Sequence, residues 1–217
     1  MSRGTKFGPL FALLTVLSFP AVGNSLRIQT ALIQEGQAVT SDAYEIYDAV
    51  LDEVTLPKTV LHAAIYDKTL NLKCGEESGN PVLLNGCGCL VMPPDGLEQV
   101  HSVLKTGLGP FSASTWESFA EMNQASVGIR DSFRTALKYK LIGKNLPEET
   151  SPDCTFFFSQ PGFNKDKTEA LVFALMFSYV ENVPSTGDYF LVRLDSRNKA
   201  WKVHGRVQYF VSGESAN

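Results

Sequence analysis

Seven side chains in this sequence have the chemistry for a nucleophile, a metal cage or a covalent brace: Cys74, Cys87, Cys89 and Cys154, with His62, His101 and His204. Cys87 and Cys89 are separated only by Gly88, so a bond between them would close a strained ring. The remaining pairings join Cys74 to one of that pair and Cys154 to the other. Such bonds would tie the middle of the chain to its C-terminal part and stabilise it by roughly 2–4 kcal/mol. A C-x-C unit with two distant cysteines is also the raw material of a zinc or redox site, but its spacing matches no strong zinc pattern. Free thiols are the third reading, and a free cysteine beside His62 or His101 would make a thiol–imidazole pair. No G-x-S-x-G elbow, H-E-x-x-H helix, phosphate loop or dinucleotide fingerprint accompanies these residues. The sequence therefore assigns no catalytic residue, no cofactor and no metal.

Two further patterns invite a binding role. The run Phe163–Glu169 presents oxygen atoms at alternate positions, as calcium loops do, but it lacks the glycine of such loops and carries Lys165 and Lys167. A β-turn between strands is the better reading. In Phe156-Phe157-Phe158 a strand must place a ring on each face, so Phe157 is a candidate for lining a groove or an interface. His62, His101 and Trp116 join it as surface or groove candidates.

The address comes from the first two dozen residues. Arg3 and Lys6 precede an apolar run from Phe7 to Val22, Pro20 interrupts it, and Ala21-Val22-Gly23 supplies small residues. That is the layout of a secretory signal peptide over residues 1–23, too short to span a bilayer. The expected location is periplasmic or secreted, an oxidising setting that favours disulfides. Removing residues 1–23 leaves 17 Lys and Arg against 23 Asp and Glu, a net charge of −6. An acidic chain without a basic cluster gives no electrostatic case for nucleic acid or an anionic membrane surface.

The elements that must position these residues read clearly in places. The full sequence, 44% hydrophobic and 19% charged, has a globular composition, and residues 24–217 read as one domain in three parts: 24–110, 111–153 and 154–212. Ala43, Ile46, Tyr47, Val50, Leu51 and Val54 keep helical spacing after Asp42, with Glu45 as its capping-box partner and Pro57 as the stop. Thr59–Tyr66 reads as a buried strand holding His62. Dense Gly and Pro between residues 71 and 96 predict a long irregular segment. Leu97–Leu104 reads as a short helix. Ser114 with Glu117 opens another, striped by Trp116, Phe119, Ala120 and Met122. Asp131–Leu137 has helical character, and Tyr139–Ile142 that of a strand. Four strands then follow: Thr155–Ser159, Glu169–Tyr179, Asp188–Asp195 and Ala200–Val211. The second is apolar on both faces, bulky on one and small on the other, so it belongs at the centre with its small side under a helix or loop. In the last, Trp201, Val203, Val207 and Tyr209 alternate with Lys202, His204, Arg206 and Gln208, which predicts a strand with one solvated face.

The motif F-S-x-x-G-F-N-K-D-K-T-E-A-L-V at Phe158–Val172, with G-x-Y-F-L-V-R at Gly187–Arg193 and W-K-V at Trp201–Val203, resembles a group of exported bacterial proteins of unassigned activity. The Tyr44–Tyr47 helix and the Trp116–Phe119 segment sit where such proteins carry similar residues. The resemblance covers about half of the mature chain. It implies an exported address and the C-terminal sheet, and no catalytic residues. Members often carry two cysteines after the long strand; Phe177–Gly187 has none, so bracing here must differ.

The expected fold is α+β: an antiparallel C-terminal sheet of about four to five strands with helices packed on one face. By analogy it is a cystatin-like or nuclear-transport-factor-like curved sheet. The expected function is a non-catalytic binding or accessory protein of the bacterial cell envelope, its partner a protein or an envelope component. The rival is a small secreted hydrolase or thiol-dependent enzyme with a pocket between the sheet and the 74–94 loop.

Overall fold

The structure is a computed structural model, and it describes residues 38–71, 96–143 and 152–211. Within them lie three helices, α1 (Ser41–Glu53), α2 (Gly96–Leu108) and α3 (Ala113–Met122). The seven strands are β1 (Ala63–Tyr66), β2 (Tyr139–Ile142), β3 (Cys154–Phe158), β4 (Gly162–Phe163), β5 (Glu169–Ser178), β6 (Thr186–Leu194) and β7 (Trp201–Val211). The expected segments 1–23 and 74–94, and the cysteines Cys74, Cys87 and Cys89, lie outside the described residues.

All strands join one sheet in the order β2-β1-β3-β5-β6-β7, with β4 added on β5. The antiparallel meander β3-β5-β6-β7 is the C-terminal block that period-two alternation predicts. β1 extends it, but parallel to β3, and β2 lies parallel to β1 at the far edge. The sheet is thus mixed and larger than four to five strands.

Helices cover both faces, which corrects the expectation of one covered face. β5 shows why. Its small side, Ala170, Val172 and Ala174, packs with Ile46, Tyr47 and Val50 of α1. Its bulky side, Leu171, Phe173 and Leu175, meets Val100, Leu104 and Phe119 of α2 and α3. A strand with two apolar faces leaves one of them in water unless both are covered, and each buried Leu or Phe contributes about 1.5–3 kcal/mol.

The helix starts also differ from expectation. Neither capping box forms: the residues at the caps are Thr40 and Ser112, and neither makes a side-chain cap bond. Asp42 instead pairs with Lys167 at 2.8 Å. The start of α3 is tied to a carboxylate from the sheet: the N–H of the cap residue Ser112 and the Thr115 hydroxyl both donate to Glu169 Oε1, at 2.7 and 2.8 Å. Its other oxygen accepts the Arg193 fork at 3.0 and 2.9 Å, and Arg193 also donates to the Pro110 carbonyl. A half-buried ion pair thus takes the place of sequence-local capping and joins the start of α3 to the sheet.

Residues 131–137 form bends and turns, not a helix. The Phe163–Glu169 loop is the expected turn: Asn164 Oδ1 accepts the N–H groups of Thr168 and Glu169, and Lys167 takes a positive φ of 50°. Gly162 lets α3 sit directly on β4, because a Cβ there would lie 2.2 Å from the Phe119 nitrogen. In β7 the alternation is broken. A register shift between Leu191 and Val192 leaves His204 as an extra residue, so Val203 opposes Val192 while Gly205 opposes Leu191. Trp201 and Val203 therefore pack on the α1 face, whereas Val207 and Tyr209 pack on the α2–α3 face.

Candidate functional site

The thiol and imidazole of the enzyme reading are neighbours in the sheet and still do not meet. Ala63 opposes Cys154, which brings His62 beside Asp153. Asp153 Oδ2 accepts the Leu61 and His62 N–H groups at 2.7 and 2.8 Å and lies 3.4 Å from His62 Nδ1. Those two N–H bonds, the one from His62 first, hold the Asp153 carboxyl below its usual range. The thiol of Cys154 is buried in the core cluster that contains α1, whereas Asp153 and His62 lie just outside the strands. The His62 side chain is 75% exposed, not buried in a strand, because β1 begins only at Ala63.

Cys154 is a free, fully buried cysteine, and the three candidate partners of the expected staple, Cys74, Cys87 and Cys89, lie outside the described residues. Burial first, and the Asp153 charge second, push its pKa up to about 11. At neutral pH it is a protonated, enclosed thiol and a poor nucleophile. Among the described residues no three of His, Cys, Asp and Glu converge as a metal cage requires.

Two other candidates do come together. His101 of α2 stacks on Trp116 of α3 with ring centres 4.7 Å apart and planes within 2°, and Phe111 closes on His101 edge-on at 5.7 Å. Trp116 continues the stack onto buried Phe119. Nε2 of His101 is enclosed without a hydrogen-bond partner. Burial, and then the charge of Lys105 one turn on, lower its pKa. This imidazole stacked on an indole joins the two helices. Phe157 is not in a groove: it is buried against Tyr66 at 5.1 Å, in the core beneath the same helices.

The most site-like place is one that sequence reasoning missed. A cleft of about 240 Å³ opens where α1 ends against β5, β6 and β7. Glu53, Val54, Thr55 and Pro57 form one wall; Met176, Val183, Pro184 and Thr186 form the other; Arg206 closes it. Arg206 donates to Asp188 Oδ2 at 3.0 Å and lies over the Phe190 ring at 5.5 Å, while its side chain stays 41% exposed. Asp188 is 3% exposed and its Oδ1 has no partner among the described residues. The guanidinium is thus anchored on one side and open on the other.

Arg206 reaches this cleft only because of the extra residue at His204. Unbroken alternation from Val203 would put Arg206 on the α2–α3 face with Lys202. Gly205 inside a strand was the one available sign of the irregularity. A second, smaller-scale omission is the Glu169–Arg193 pair, whose partners lie 24 residues apart along the chain. A second cleft of about 300 Å³ between α1 and the 130–134 segment is lined by Tyr44, Glu45, Asp48, Arg130 and Arg134. There Asp48 accepts the Arg134 N–H at 2.9 Å and Tyr44 Oη the Arg130 N–H at 2.7 Å, so its polar groups serve to hold that segment. No protein-family model, curated protein or solved structure matches the chain.

Proposed function

We propose that this is an exported, non-catalytic binding protein of the bacterial cell envelope, which takes its ligand in the cleft between the end of α1 and β5–β7. The observation that carries the reading is the state of Arg206: anchored by a buried carboxylate and an aromatic face, yet half open to a cleft with apolar walls. Binding sites combine apolar lining with a few fixed polar groups in this way. The leader-like residues 1–23 and the resemblance of Phe158–Val203 to exported bacterial proteins support the address. The enclosed, protonated thiol of Cys154 favours binding over thiol chemistry.

The test uses the full chain expressed in bacteria. The periplasmic product is expected to begin near Asn24 by intact mass. Its amide spectrum, recorded with the dialysable fraction of an envelope extract, is expected to shift at Thr55, Val183, Thr186 and Arg206. Shifts confined elsewhere, or turnover of ester, thioester or peptide substrates by the purified protein, would overturn the reading.

A further inference from the structure

The cleft has two electrical ends, and the second is set by a helix that violates its own dipole. The C-terminus of α1 carries Asp52 and Glu53, and no basic residue stands in its last turn. Unpaired carbonyls already make a helix C-terminus negative, by about half an elementary charge, so carboxylates there are unfavourable and a cation is welcome. Asp52 is occupied with Thr135 at 3.0 Å. Glu53 lines the cleft, and among the described residues the ion pair that Arg206 makes is with Asp188, not with Glu53. A negative pole and a positive pole thus face one small space. Between them the surface is apolar, from Val54, Met176 and Val183.

We propose that the cleft binds a compact zwitterion, an aliphatic amino acid in free form, with its carboxylate on the open side of Arg206 and its ammonium at Glu53 and the α1 carbonyls. The inference rests on the binding reading given above and names its ligand class. The size agrees: about 240 Å³ is below the range of drug-sized pockets and suits a ligand of a few heavy atoms. The planar guanidinium, already engaged on one edge by Asp188, keeps N–H groups for a second carboxylate, as bidentate Arg sites do.

The experiment titrates the mature protein with L-leucine, leucinamide and 4-methylpentanoate, following amide shifts and heat. Leucine is expected to shift the cleft residues, with leucinamide and 4-methylpentanoate each weaker by about tenfold or more. Glu53→Gln should erase the preference for leucine over 4-methylpentanoate while leaving 4-methylpentanoate binding unchanged. Arg206→Lys should weaken leucine by about tenfold and keep that preference. Val183→Trp, which fills the cleft without touching the buried ion pair, should abolish leucine shifts while the thermal transition stays cooperative. Equal binding of leucine and 4-methylpentanoate overturns the zwitterion. If leucine gives no shift and the envelope fraction still shifts the same residues, this inference fails and the binding reading stands; if neither shifts them, both fail.

Discussion

At the scale of single residues, Glu169 shows how one carboxylate can hold three elements. Burial pushes its pKa up, but the Ser112 N–H, the Thr115 hydroxyl and the Arg193 guanidinium together outweigh that and leave it below the usual range. A depressed carboxylate pKa means stability that is fully present above the unfolded value of about 4.3 and is lost as the pH falls through the folded value. Glu169→Gln should therefore lower the unfolding free energy read from urea titration at pH 7, by roughly 1–3 kcal/mol, and converge on the parent in acid. A parallel loss at both pH values would contradict this role. Cys154 gives a complementary prediction. With a thiol pKa near 11 and no exposure, it should resist iodoacetamide in the native protein at pH 8 and react once the chain is unfolded without reductant. Quantitative alkylation of native Cys154 would show that the thiol is reachable. Neither residue's role was legible in the sequence. Glu169 looked like the end of a turn, and Cys154 like half of a disulfide, because both roles depend on groups brought in from far along the chain.

At the scale of elements, periodicity served well and local capping chemistry did not. Apolar spacing placed α1, α3 and the four C-terminal strands to within a few residues, because burial of a stripe or a face is written into composition. The parallel placing of β1 and β2 was invisible, since a short apolar strand carries no mark of its direction. The seat of α3 on β4 is the tightest of these contacts. Gly162→Ala would drive a methyl group into the Phe119 backbone, so α3 must lift from the sheet. The expected cost is about 1–3 kcal/mol or more in thermal unfolding, with a weakened near-ultraviolet signal from Trp116 as its stack with Phe119 loosens. An unchanged melting temperature and spectrum would count against this close seating. The reciprocal amide pair of Asn123 and Gln160 secures the other end of α3, where Gln160 N–H donates to Asn123 Oδ1 at 2.8 Å.

At the scale of the whole molecule, the sheet is shielded from water most completely at its centre. β5 is wholly buried from Glu169 to Leu175, whereas β2 at the sheet's edge is only half-buried. Amide exchange should be slowest for Phe173 and Leu191 and fastest among the strands for β2, with β7 intermediate, since local openings begin at edges. Comparable protection in β2 and β5 would contradict a core centred on β5. The candidate site lies away from that stable centre, where α1 runs out and the β5–β6 connection begins. Its legibility was correspondingly poor: the wall residues belong to three separate stretches, and only the sheet's geometry assembles them.

The extra residue at His204 links the sheet's edge to the cleft. Length in this strand is not a neutral quantity. Removing His204 would close this bulge and straighten the strand there, with Val203 still opposite Val192 and Gly205 still opposite Leu191, so everything from Gly205 onward would keep its side. Pairing His204 regularly, with the bulge lost and the residue kept, would instead slip the register by one, turn Val207 toward α1 and take Arg206 away from Asp188. Deleting His204 would leave the border strand with one irregularity, opposite Gly187 and Asp188, and so lengthen the regular row of amides on which another chain can add. The extra residue thus shortens the regular stretch that the sheet's border offers to a further strand, and its omission from the pairing is what keeps Arg206 at Asp188.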